Sequence, residues 1–443
     1  MDVEKLKQKI LDLAIRGKLV PQDPDDEPAS VLIEKIRAEK ENLIKQGKIK
    51  RDKNESYIFK GDDNSYYEKV NGETKKLTVP FSIPDNWTWV RLGSIFKIGS
   101  SKRIHKSDWR TNGIPFYRAR DIEDINEGSF NSQIYIDIAL YENIKQQYGI
   151  PKIGDLLVTA VGTLGKVFIV TNNEPFYYKD GNIICFSNLY NINPFFIKML
   201  FDTDFLKKQI KGDSKGTTVD TYTIIHANDT LIPLPSIREQ SRIVSRYDEI
   251  LTIASKIAVS KSEINELCKQ LKVSILDFYF GTDSRYKSYY ENDLQLGDIL
   301  EYEQPGKYIV NSTDYSDDFA TPVLTPGKTF ILGYTDEKDG IYKVNGGKVI
   351  IFDDFTTASR LVDFDFKVKS SAMKILTISN QELFDVEYMY LLLQTIHVNN
   401  NTHKRYWISD FAMRNVTIHT IQEQTLIVKE IKRLYSIIEK VVG

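Results

Sequence analysis

Acidic and histidine residues stand at several places where they could hold a metal ion for phosphodiester hydrolysis. Asp353-Asp354 and Glu301-Tyr302-Glu303 offer neighbouring carboxylates, but neither pair is followed by the Glu-x-Lys pattern of a nuclease metal site. No metal-ligand spacing relates the five histidines, which are His105, His226, His397, His403 and His419. We therefore predict solvated or structural roles for these residues, no metal site and no catalytic set of nucleophile, base and oxyanion donors.

A glycine-rich segment, Gly162-Thr163-Leu164-Gly165-Lys166, superficially suggests a phosphate-binding loop. The spacing is too short for such a loop, and Val167 follows Lys166 where a Ser or Thr would be required. A glycine turn between two strands is the better interpretation. Such a turn would still bring backbone N–H groups and Lys166 close to a DNA phosphate.

The segment Asn193-Pro194-Phe195-Phe196 resembles the Asn-Pro-Pro-Tyr/Phe motif with which adenine methyltransferases hold a flipped base. Phe195 replaces the second proline, and no glycine-rich cofactor loop opens a strand–helix unit upstream. The competing interpretation is a helix with Asn193 as its N-cap and Pro194 in its first turn. We favour the helix. A stand-alone adenine DNA methyltransferase or a fused restriction-modification enzyme remains the alternative function.

Basic residues mixed with aromatic residues, Asn and Thr indicate contacts with nucleic acid. Arg and Lys can bond guanine edges, and Lys or backbone N–H groups can hold phosphates; the rival interpretation is an ordinary solvated surface. The candidate DNA-binding residues are Lys102, Arg103, Arg118, Arg120, Lys166, Lys215, Thr217, Thr218, Lys307, Lys328, Arg360, Lys404, Arg405 and Tyr406.

Composition places these candidates in a chain of two or three globular domains. The sequence has 443 residues, 41% of them hydrophobic and 27% charged. Its net charge of −2 argues against a bulk nucleic-acid coat but permits a local basic face. Cys185 and Cys268 lie outside any metal spacing. With no membrane-spanning stretch and no signal-peptide pattern at the N-terminus, we expect a cytoplasmic protein.

The elements that must position these residues are repeated along the chain. Ser236-Ile237-Arg238-Glu239-Gln240 recurs 184 residues later as Thr420-Ile421-Gln422-Glu423-Gln424, and each copy has the pattern of a capping box that starts a helix. Both helices carry the same apolar seam in the same register, which predicts coiled-coil packing. The seam, or partner-docking, residues are Ile243, Tyr247, Ile250, Ile257, Ile264, Leu271, Ile427, Ile431, Leu434 and Ile438.

Two further repeats show that the order is circularly permuted. Residues 6–13 resemble residues 271–278, so the first helix of the chain matches the end of the central helix. Leu92-Gly93-Ser94-Ile95 recurs as Leu296-Gly297-Asp298-Ile299, each copy opening a segment rich in β-branched and aromatic residues. The two chain ends would together complete a second copy of the central helix. We therefore predict approximate two-fold symmetry within one chain, with the first and last helices in contact.

Over essentially its whole length the sequence resembles the specificity subunits of type I restriction-modification systems. The N-terminal signature is Leu11-Asp12-Leu13-Ala14-Ile15-Arg16-Gly17-Lys18-Leu19-Val20-Pro21-Gln22, followed by Glu27-Pro28-Ala29-Ser30. The beginning of the family's target-recognition domain is matched here by Ile83-Pro84-Asp85-Asn86-Trp87-Thr88-Trp89-Val90-Arg91-Leu92-Gly93. Its end resembles the segment Leu231-Ile232-Pro233-Leu234-Pro235 that precedes Glu239-Gln240. The second domain departs from this pattern: its beginning lacks the Trp pair, and its end, Val416-Thr417-Ile418-His419, lacks the prolines.

The resemblance implies a non-catalytic reader of double-stranded DNA with a bipartite site, each recognition domain reading one half. It also implies two methyltransferase subunits docked on the helices and restriction/translocase subunits that can join. S-adenosylmethionine would then be bound by the methyltransferase partner, and no cofactor by this chain. In such an assembly a central helix of about 39 residues, roughly 58 Å long at ~1.5 Å per residue, would separate two readers.

The expected fold class is α+β: two mixed α/β target-recognition domains separated by long antiparallel coiled-coil helices. The predicted segments are an N-terminal spacer helix (1–17), a helix plus hairpin arm (18–85), recognition domain 1 (86–235), the central spacer helix (236–285), recognition domain 2 (286–419) and the C-terminal spacer helix (420–443). We expect strands at 113–117, 155–160, 166–171, 182–186, 348–352 and 372–378, and helices at 28–46, 194–210 and 386–396.

Overall fold

The structure is a computed structural model that describes residues 2–47, 51, 56–211, 220–281, 294–325, 329–396 and 405–442. By its internal contacts the chain divides into two compact units, Met1–Ala258 (unit 1) and Val259–Gly443 (unit 2). The boundary between the units falls within one long helix. Each unit is described in turn.

Unit 1 combines helices and short strands around a large core. Its helices are α1 (Val3–Ile15), α2 (Ala29–Lys45), α3 (Leu92–Ile95), α4 (Ala119–Asn126), α5 (Ile138–Tyr148), α6 (Pro194–Phe201), α7 (Asp204–Lys211), α8 (Ile224–Asp229) and the first part of α9 (Ile237–Phe280). Its strands are β1 (Ser56–Lys60), β2 (Tyr66–Val70), β3 (Glu73–Leu77), β4 (Thr88–Arg91), β5 (Lys97–Gly99), β6 (Trp109–Arg110), β7 (Ile114–Tyr117), β8 (Tyr135–Ile136), β9 (Leu156–Thr159), β10 (Val167–Ile169), β11 (Tyr177–Tyr178), β12 (Ile183–Ser187) and β13 (Leu231–Leu234).

Two four-stranded sheets form the middle of unit 1. One has the order β10-β9-β12-β5 and is antiparallel throughout. The other has the order β11-β7-β8-β6, in which β11 and β7 run parallel. Four of the expected strands are thus present as β7, β9, β10 and β12. The first sheet shares one core with helices α1, α6 and α7 and with the beginning of α9. This core therefore holds α1 and the beginning of α9 in place.

Helix ends in unit 1 follow the local sequence signals. α1 ends before Gly17, which has φ +66°, and the N–H of Lys18 donates to the carbonyl of Leu13 at 2.8 Å. The single helix expected over residues 194–210 is wrong, since the chain forms α6 and α7 with a break between them. Thr203 causes this break, because its hydroxyl accepts the N–H of Leu206 at 3.2 Å and begins a new helix.

Residues 56–77 form a three-stranded antiparallel meander, β1-β2-β3, within the segment for which a hairpin arm was predicted. The turn between β2 and β3 contains Asn71 (φ +52°) and Gly72 (φ +87°), the pair that a tight hairpin turn requires. Ile58 anchors the meander to the unit, since it shares a buried cluster with Trp89 and Leu231. The arm is therefore packed rather than loose.

Unit 2 contains the rest of α9 and a shorter set of elements. Its helices are α10 (Leu296–Ile299), α11 (Val386–Leu393), α12 (Tyr406–Ser409) and α13 (Ile421–Val442). Its strands are β14 (Leu294–Gln295), β15 (Leu300–Glu303), β16 (Thr321–Leu324), β17 (Ile331–Thr335), β18 (Val349–Asp353), β19 (Ser359–Val362), β20 (Lys367–Val368), β21 (Met373–Ile378) and β22 (Asn415–Val416).

The sheets of unit 2 have the strand pattern found in unit 1. A four-stranded antiparallel sheet has the order β15-β21-β18-β19, and a second sheet, β17-β16-β20, contains a parallel pair between β16 and β20. The strands expected at 348–352 and 372–378 are β18 and β21, and the helix expected at 386–396 is α11. The end of α9 shares the unit's main core with α11 and α13.

Candidate nucleic-acid interface

In each unit, the segment that precedes a long helix begins and ends on a pair of antiparallel strands. In unit 1, β4 pairs with β13 and places Arg91 opposite Leu231. In unit 2, β14 pairs with β22 and places Leu294 opposite Val416. The segment that carries the candidate DNA-binding residues of each unit is thus closed at its base, immediately before the following long helix.

The repeated Leu-Gly motif forms a single helical turn in both units. A Cβ on Gly93 would lie 2.3 Å from the side chain of Asn228, and a Cβ on Gly297 would lie 3.0 Å from the carbonyl of Ala412. Only glycine allows this close approach. The repeat therefore has a packing role, which is to seat the first turn of each unit against a later segment.

The start of α9 is fastened to the N-terminal part of the chain. The hydroxyl of Ser236 accepts the N–H of Glu239 at 3.0 Å, as the capping box predicts. The Glu239 carboxylate does not return to the cap; it accepts bonds from Trp87 Nε1 (2.9 Å) and Gln22 Nε2 (2.6 Å). Burial raises the pKa of Glu239. The two segments that resemble the family's signatures, around residues 22 and 87, therefore both donate hydrogen bonds to the same buried carboxylate.

Asp26 adds a second buried carboxylate at the same helix end. Its side chain is 1% exposed and accepts a bond from Arg242 at 2.6 Å. It also accepts the Ser236 hydroxyl at 3.0 Å. The hydrogen bond from the Arg242 guanidinium holds the pKa of Asp26 below its usual value. Residues 22–26 therefore close over the start of α9.

A glutamine makes the same contact in each unit. Oε1 of Gln240 accepts the backbone N–H of Asn193, the N-cap of α6, at 3.0 Å. Oε1 of Gln424 accepts the backbone N–H of Asp385, the N-cap of α11, at 2.8 Å. In both cases Nε2 donates to the carbonyl five residues earlier, at 3.0 and 2.8 Å. The repeated Glu-Gln pair thus joins a long helix to a helix of its own unit.

Helix α13 packs on the end of α9 within unit 2. Its capping box is complete, since Glu423 accepts the N–H of Thr420 at 3.0 Å and its own N–H donates to the Thr420 hydroxyl at 3.4 Å. The Tyr435 hydroxyl donates to the carbonyl of Lys272 at 3.2 Å. The Lys272 ammonium pairs with Glu439 at 3.0 Å. The C-terminal helix and the end of the central helix are therefore joined.

The predicted seam residues divide by burial. Ile243, Tyr247, Ile427, Ile431 and Ile438 are buried in the cores of their units, and Ile250 and Leu434 are partly buried. Along the middle of α9 the seam is open to solvent, with exposed fractions of 50%, 42% and 50% for Ile257, Ile264 and Leu271. The seam thus contributes to each core near its ends and leaves an apolar row in its middle.

The methyltransferase-like segment is a helix start. Oδ1 of Asn193 accepts the N–H groups of Phe195 (3.0 Å) and Phe196 (3.2 Å), with Pro194 at the first position of α6. Phe196 is fully buried. The expected Asn cap is confirmed, and the methyltransferase interpretation is not supported, because the side chain of Asn193 is occupied by the helix it caps.

The glycine-rich segment is the turn between β9 and β10. Gly162 and Gly165 have φ of +80° and +78°, and the hydroxyl of Thr159 accepts the N–H of Lys166 at 2.9 Å. This confirms a glycine turn rather than a phosphate-binding loop. Lys166 pairs with Glu123 at 3.8 Å and is 48% exposed, so its ammonium is accessible from solvent.

The two arginines at the start of α4 differ in availability. Arg118 is 20% exposed and forms a two-bond pair with Asp121, at 2.8 and 2.9 Å. Arg120 is 64% exposed, and its Nε lies 3.6 Å from Asp121. Arg118 therefore stabilises the helix start, and Arg120 is the better placed of the two for a contact with DNA.

Lys102 lines a cleft of about 700 Å³ in unit 1, and Arg103 follows it in the chain. The Lys102 ammonium lies 5.1 Å from the ring centre of Tyr148. Arg103 is 71% exposed and pairs with Asp180 at 2.8 Å. Lys97 and Lys152, which the sequence analysis missed, also line this cleft. A signal existed, since Lys152 follows a Tyr-Gly-Ile-Pro loop, but its proximity to Lys102 depends on the fold.

In unit 2 the candidates with described positions lie mostly at the surface. Lys307 is 68% exposed and pairs with Glu303 at 2.7 Å. Arg360 is exposed on β19, with its guanidinium 5.9 Å from the ring centre of Phe330. Outside the described residues lie Lys215, Thr217, Thr218, Lys328 and Lys404.

Tyr406 is a correction to the predicted DNA contacts. Its side chain is 0% exposed, and its N–H donates to the carbonyl of Asp354 at 2.9 Å. The neighbouring Trp407 is equally buried and packs against Phe352. A tyrosine adjoining a basic run is here part of the core, whereas the preceding Arg405 is exposed. Tyr406 has no surface to offer DNA.

Asp353, at the end of β18, and the following Asp354 were considered for a nuclease site but have structural roles. Asp354 is 1% exposed, accepts the N–H of Trp407 at 2.8 Å and lies 3.3 Å from the buried ammonium of Lys374. Asp353 is 5% exposed and accepts the N–H of Phe355 at 3.1 Å. Within the described ranges, His, Cys, Asp and Glu form no group of three or more suited to a metal ion.

Known proteins resemble parts of this chain. Residues 84–267 match the family model of the type I restriction modification DNA specificity domain. Over this segment the chain resembles the type I specificity subunits. Among curated family members, it is 51% identical over 127 residues to the specificity subunit of the type I restriction enzyme EcoR124I/EcoR124II of Escherichia coli. It is 28% identical over 269 residues to the EcoAI specificity subunit, also of Escherichia coli.

These matches cover part of each specificity subunit. The first covers 28% of this chain and 31% of its relative, and the second covers 58% and 40%. The chain thus matches less than half the length of these curated family members.

Solved structures of the family share the fold. A specificity subunit from Thermoanaerobacter tengcongensis aligns with a TM-score of 0.52 at 15% identity, covering 82% of this chain and 93% of that one. A chain from a structure on complex assembly and conformational transition of the type I R-M system aligns with a TM-score of 0.59 at the same identity and coverage. The α+β fold of this chain is therefore similar to that of these solved structures. Among its described helices, none combines the length and apolar character needed to cross a bilayer.

Proposed function

We propose that this chain reads a bipartite site on double-stranded DNA, each unit reading one half, as the specificity component of a type I restriction-modification complex. The observation that carries the proposal is the parallel construction of the units. Both close on paired strands, both have the same order in their antiparallel sheet, and both hold a helix N-cap with an equivalent glutamine. Two like readers suit a target in two parts.

The proposed architecture is a circularly permuted repeat with approximate two-fold symmetry. In unit 1, α1 shares its core with the beginning of α9; in unit 2, the end of α9 shares its core with α13. Since α1 resembles the end of α9 in sequence and α13 resembles its beginning, each core joins a spacer beginning to a spacer end. Contact between α1 and α13 remains a prediction.

The chain is proposed to have no catalytic role and to bind no cofactor. Methyltransferase subunits, carrying S-adenosylmethionine, would dock on the spacer helices, and restriction/translocase subunits would join them. The open apolar row of Ile257, Ile264 and Leu271 supports this part of the proposal, because exposed apolar rows of this kind mark protein interfaces.

The test is to sequence modified adenines in cells that carry the complete system, with and without this chain. We expect a split motif whose methylation requires the chain, and no methyl transfer to DNA by the purified chain alone. Methylation by the isolated chain, or a motif unchanged by its deletion, would contradict the proposal.

A further inference from the structure

The meander β1-β2-β3 presents one face of defined composition. Tyr57 lies opposite Lys69 and Phe59 opposite Tyr67 in the pairing of β1 with β2. Tyr67 in turn lies opposite Lys76 in the pairing of β2 with β3. Directly opposed residues share a face of a sheet, and alternate residues along a strand return to it. These five residues therefore lie together, and we call them the aromatic–basic face.

The other face of the meander packs on unit 1. Ile58 is 7% exposed and lies in a cluster with Trp89 and Leu231, against which Tyr66 and Leu77 also pack. The aromatic–basic face is consequently directed away from this core. Its lysines are exposed and its three rings are partly exposed.

The three rings form a row. The ring centres of Tyr57 and Phe59 are 5.6 Å apart with planes at 17°, and those of Phe59 and Tyr67 are 5.9 Å apart with planes at 25°. The guanidinium of Arg37, from α2, lies 4.3 Å from the ring centre of Tyr57 and extends the row. Near-parallel rings in a row are an arrangement on which unpaired bases can continue a stack.

The charges of the row favour a polyanion. Strand alternation places Glu68 and Glu73 on the opposite face, where Glu68 pairs with Arg91 at 2.8 Å. The acidic residue in contact with the row is Asp63, which accepts the Tyr67 hydroxyl at 3.0 Å and lies 3.6 Å from Lys76. Among the described residues, the three basic side chains Arg37, Lys69 and Lys76 outnumber the two carboxylates near them, Asp63 and the Glu41 that interacts with Arg37. Basic groups beside stacking rings are the combination that binds single strands.

We propose that the aromatic–basic face binds single-stranded DNA, with bases stacked on the row of rings and the backbone near Lys69 and Lys76. The face lies outside residues 84–267, the segment that matches the specificity domain. The inference goes beyond the proposed function, since it assigns to residues 56–77 a ligand that neither recognition domain needs.

The test measures fluorescence anisotropy of a labelled oligo-dT of about 15 nucleotides with the full chain. We expect salt-dependent binding that weakens roughly tenfold or more when Phe59 and Tyr67 are both replaced by serine. The paired substitution Tyr57→Phe with Tyr67→Phe keeps the rings and should retain the affinity. Replacing Lys69 and Lys76 by glutamine should weaken binding and flatten its salt dependence.

Lys75 provides the matched control, because it is exposed on the same strand as Lys76 but on the opposite face. Lys75→Gln should leave oligo-dT binding within twofold. Duplex binding in the serine variant should stay unchanged, which separates this site from the reading domains and shows that the chain is folded. No binding of oligo-dT by the wild type, an equal loss in the Lys75 variant, or binding of oligo-U or duplex alone overturns the proposal.

Discussion

The backbone N–H of Asn193 donates to the side chain of Gln240 at 3.0 Å, joining the N-cap of α6 to the beginning of α9. Gln240 is fully buried. Gln240→Ala would leave the N–H of Asn193 and the carbonyl of Pro235 without this partner. We expect a loss of about 1–3 kcal/mol in the free energy of unfolding, measured by urea denaturation.

Ser241→Ala is the control for this substitution. Ser241 is exposed and its hydroxyl contacts the Asn193 side chain at 3.3 Å, so its loss should change stability by no more than about 0.5 kcal/mol. Gln424→Ala should destabilise to a similar extent as Gln240→Ala, because Gln424 holds the N-cap of α11. Equal stability of the Ser241 and Gln240 variants would argue against the contact.

The Asp26–Arg242 pair predicts a loss of stability in acid. The pKa of Asp26 is lowered by the hydrogen bond from Arg242, so its contribution is complete above the ordinary Asp pKa of about 3.8. That contribution is lost as the pH falls through the depressed pKa of the folded state. Asp26→Asn should lower stability at pH 7 and reduce its dependence on pH below 4, measured by denaturant titrations from pH 7 to 2. Asp25→Asn, at an exposed position, should retain the wild-type dependence.

Arg120 and Arg118 predict different phenotypes despite their proximity. Arg120→Ala should weaken duplex binding, reduce the salt slope by about one and affect only the half-site read by unit 1. Arg118→Ala should lower the stability of unit 1, because Arg118 holds Asp121 at the start of α4. Binding isotherms at several salt concentrations, together with thermal denaturation, distinguish the two. A salt slope unchanged in the Arg120 variant would remove this residue from the interface.

Tyr406 and its basic neighbours predict a similar division in unit 2. Tyr406→Ala should cost about 3–5 kcal/mol of stability, because it empties a fully buried site. Replacing Lys404 and Arg405 together by alanine should instead weaken DNA binding and relax one half-site, with stability little changed. Selection from a random duplex pool measures the half-sites separately. Equal relaxation of both halves would show that this pair does not belong to one reader.

Local signals in the sequence predicted the elements of the fold well. Capping boxes and the heptad seam predicted α9 and α13, the resemblance of residues 6–13 to the central helix predicted α1, and segments rich in β-branched and aromatic residues predicted strands. The helix break at Thr203 was missed, since a hydroxyl that starts a new helix is hard to distinguish from one within a helix. The positions of helices and strands depend mainly on residues close together in sequence, so they could be predicted from the sequence.

The contacts that organise the candidate site could not be read in this way. Glu239 finds Trp87 and Gln22 at sequence separations of 152 and 217 residues, and the capping-box pattern predicted a different partner for its carboxylate. Tyr406 shared the composition of a basic surface loop, yet the fold buries it. Whether a residue such as Tyr406 is buried depends on which side of its element faces the core. A short element such as α12 has too few residues for its sequence pattern to show that side.

Because β4 pairs with β13, the segment between these strands begins and ends at adjacent points, just before α9. The segment between Arg91 and Leu231 must supply two neighbouring strand ends and a helix N-cap that Gln240 can hold, as Asn193 does. Under the proposed function, a segment that kept these contacts but preferred other bases would be exchangeable as a cassette by recombination, while the helices beyond it kept their sequence. One genetic step would then change the target and leave the proposed docking surfaces of the helices unaltered.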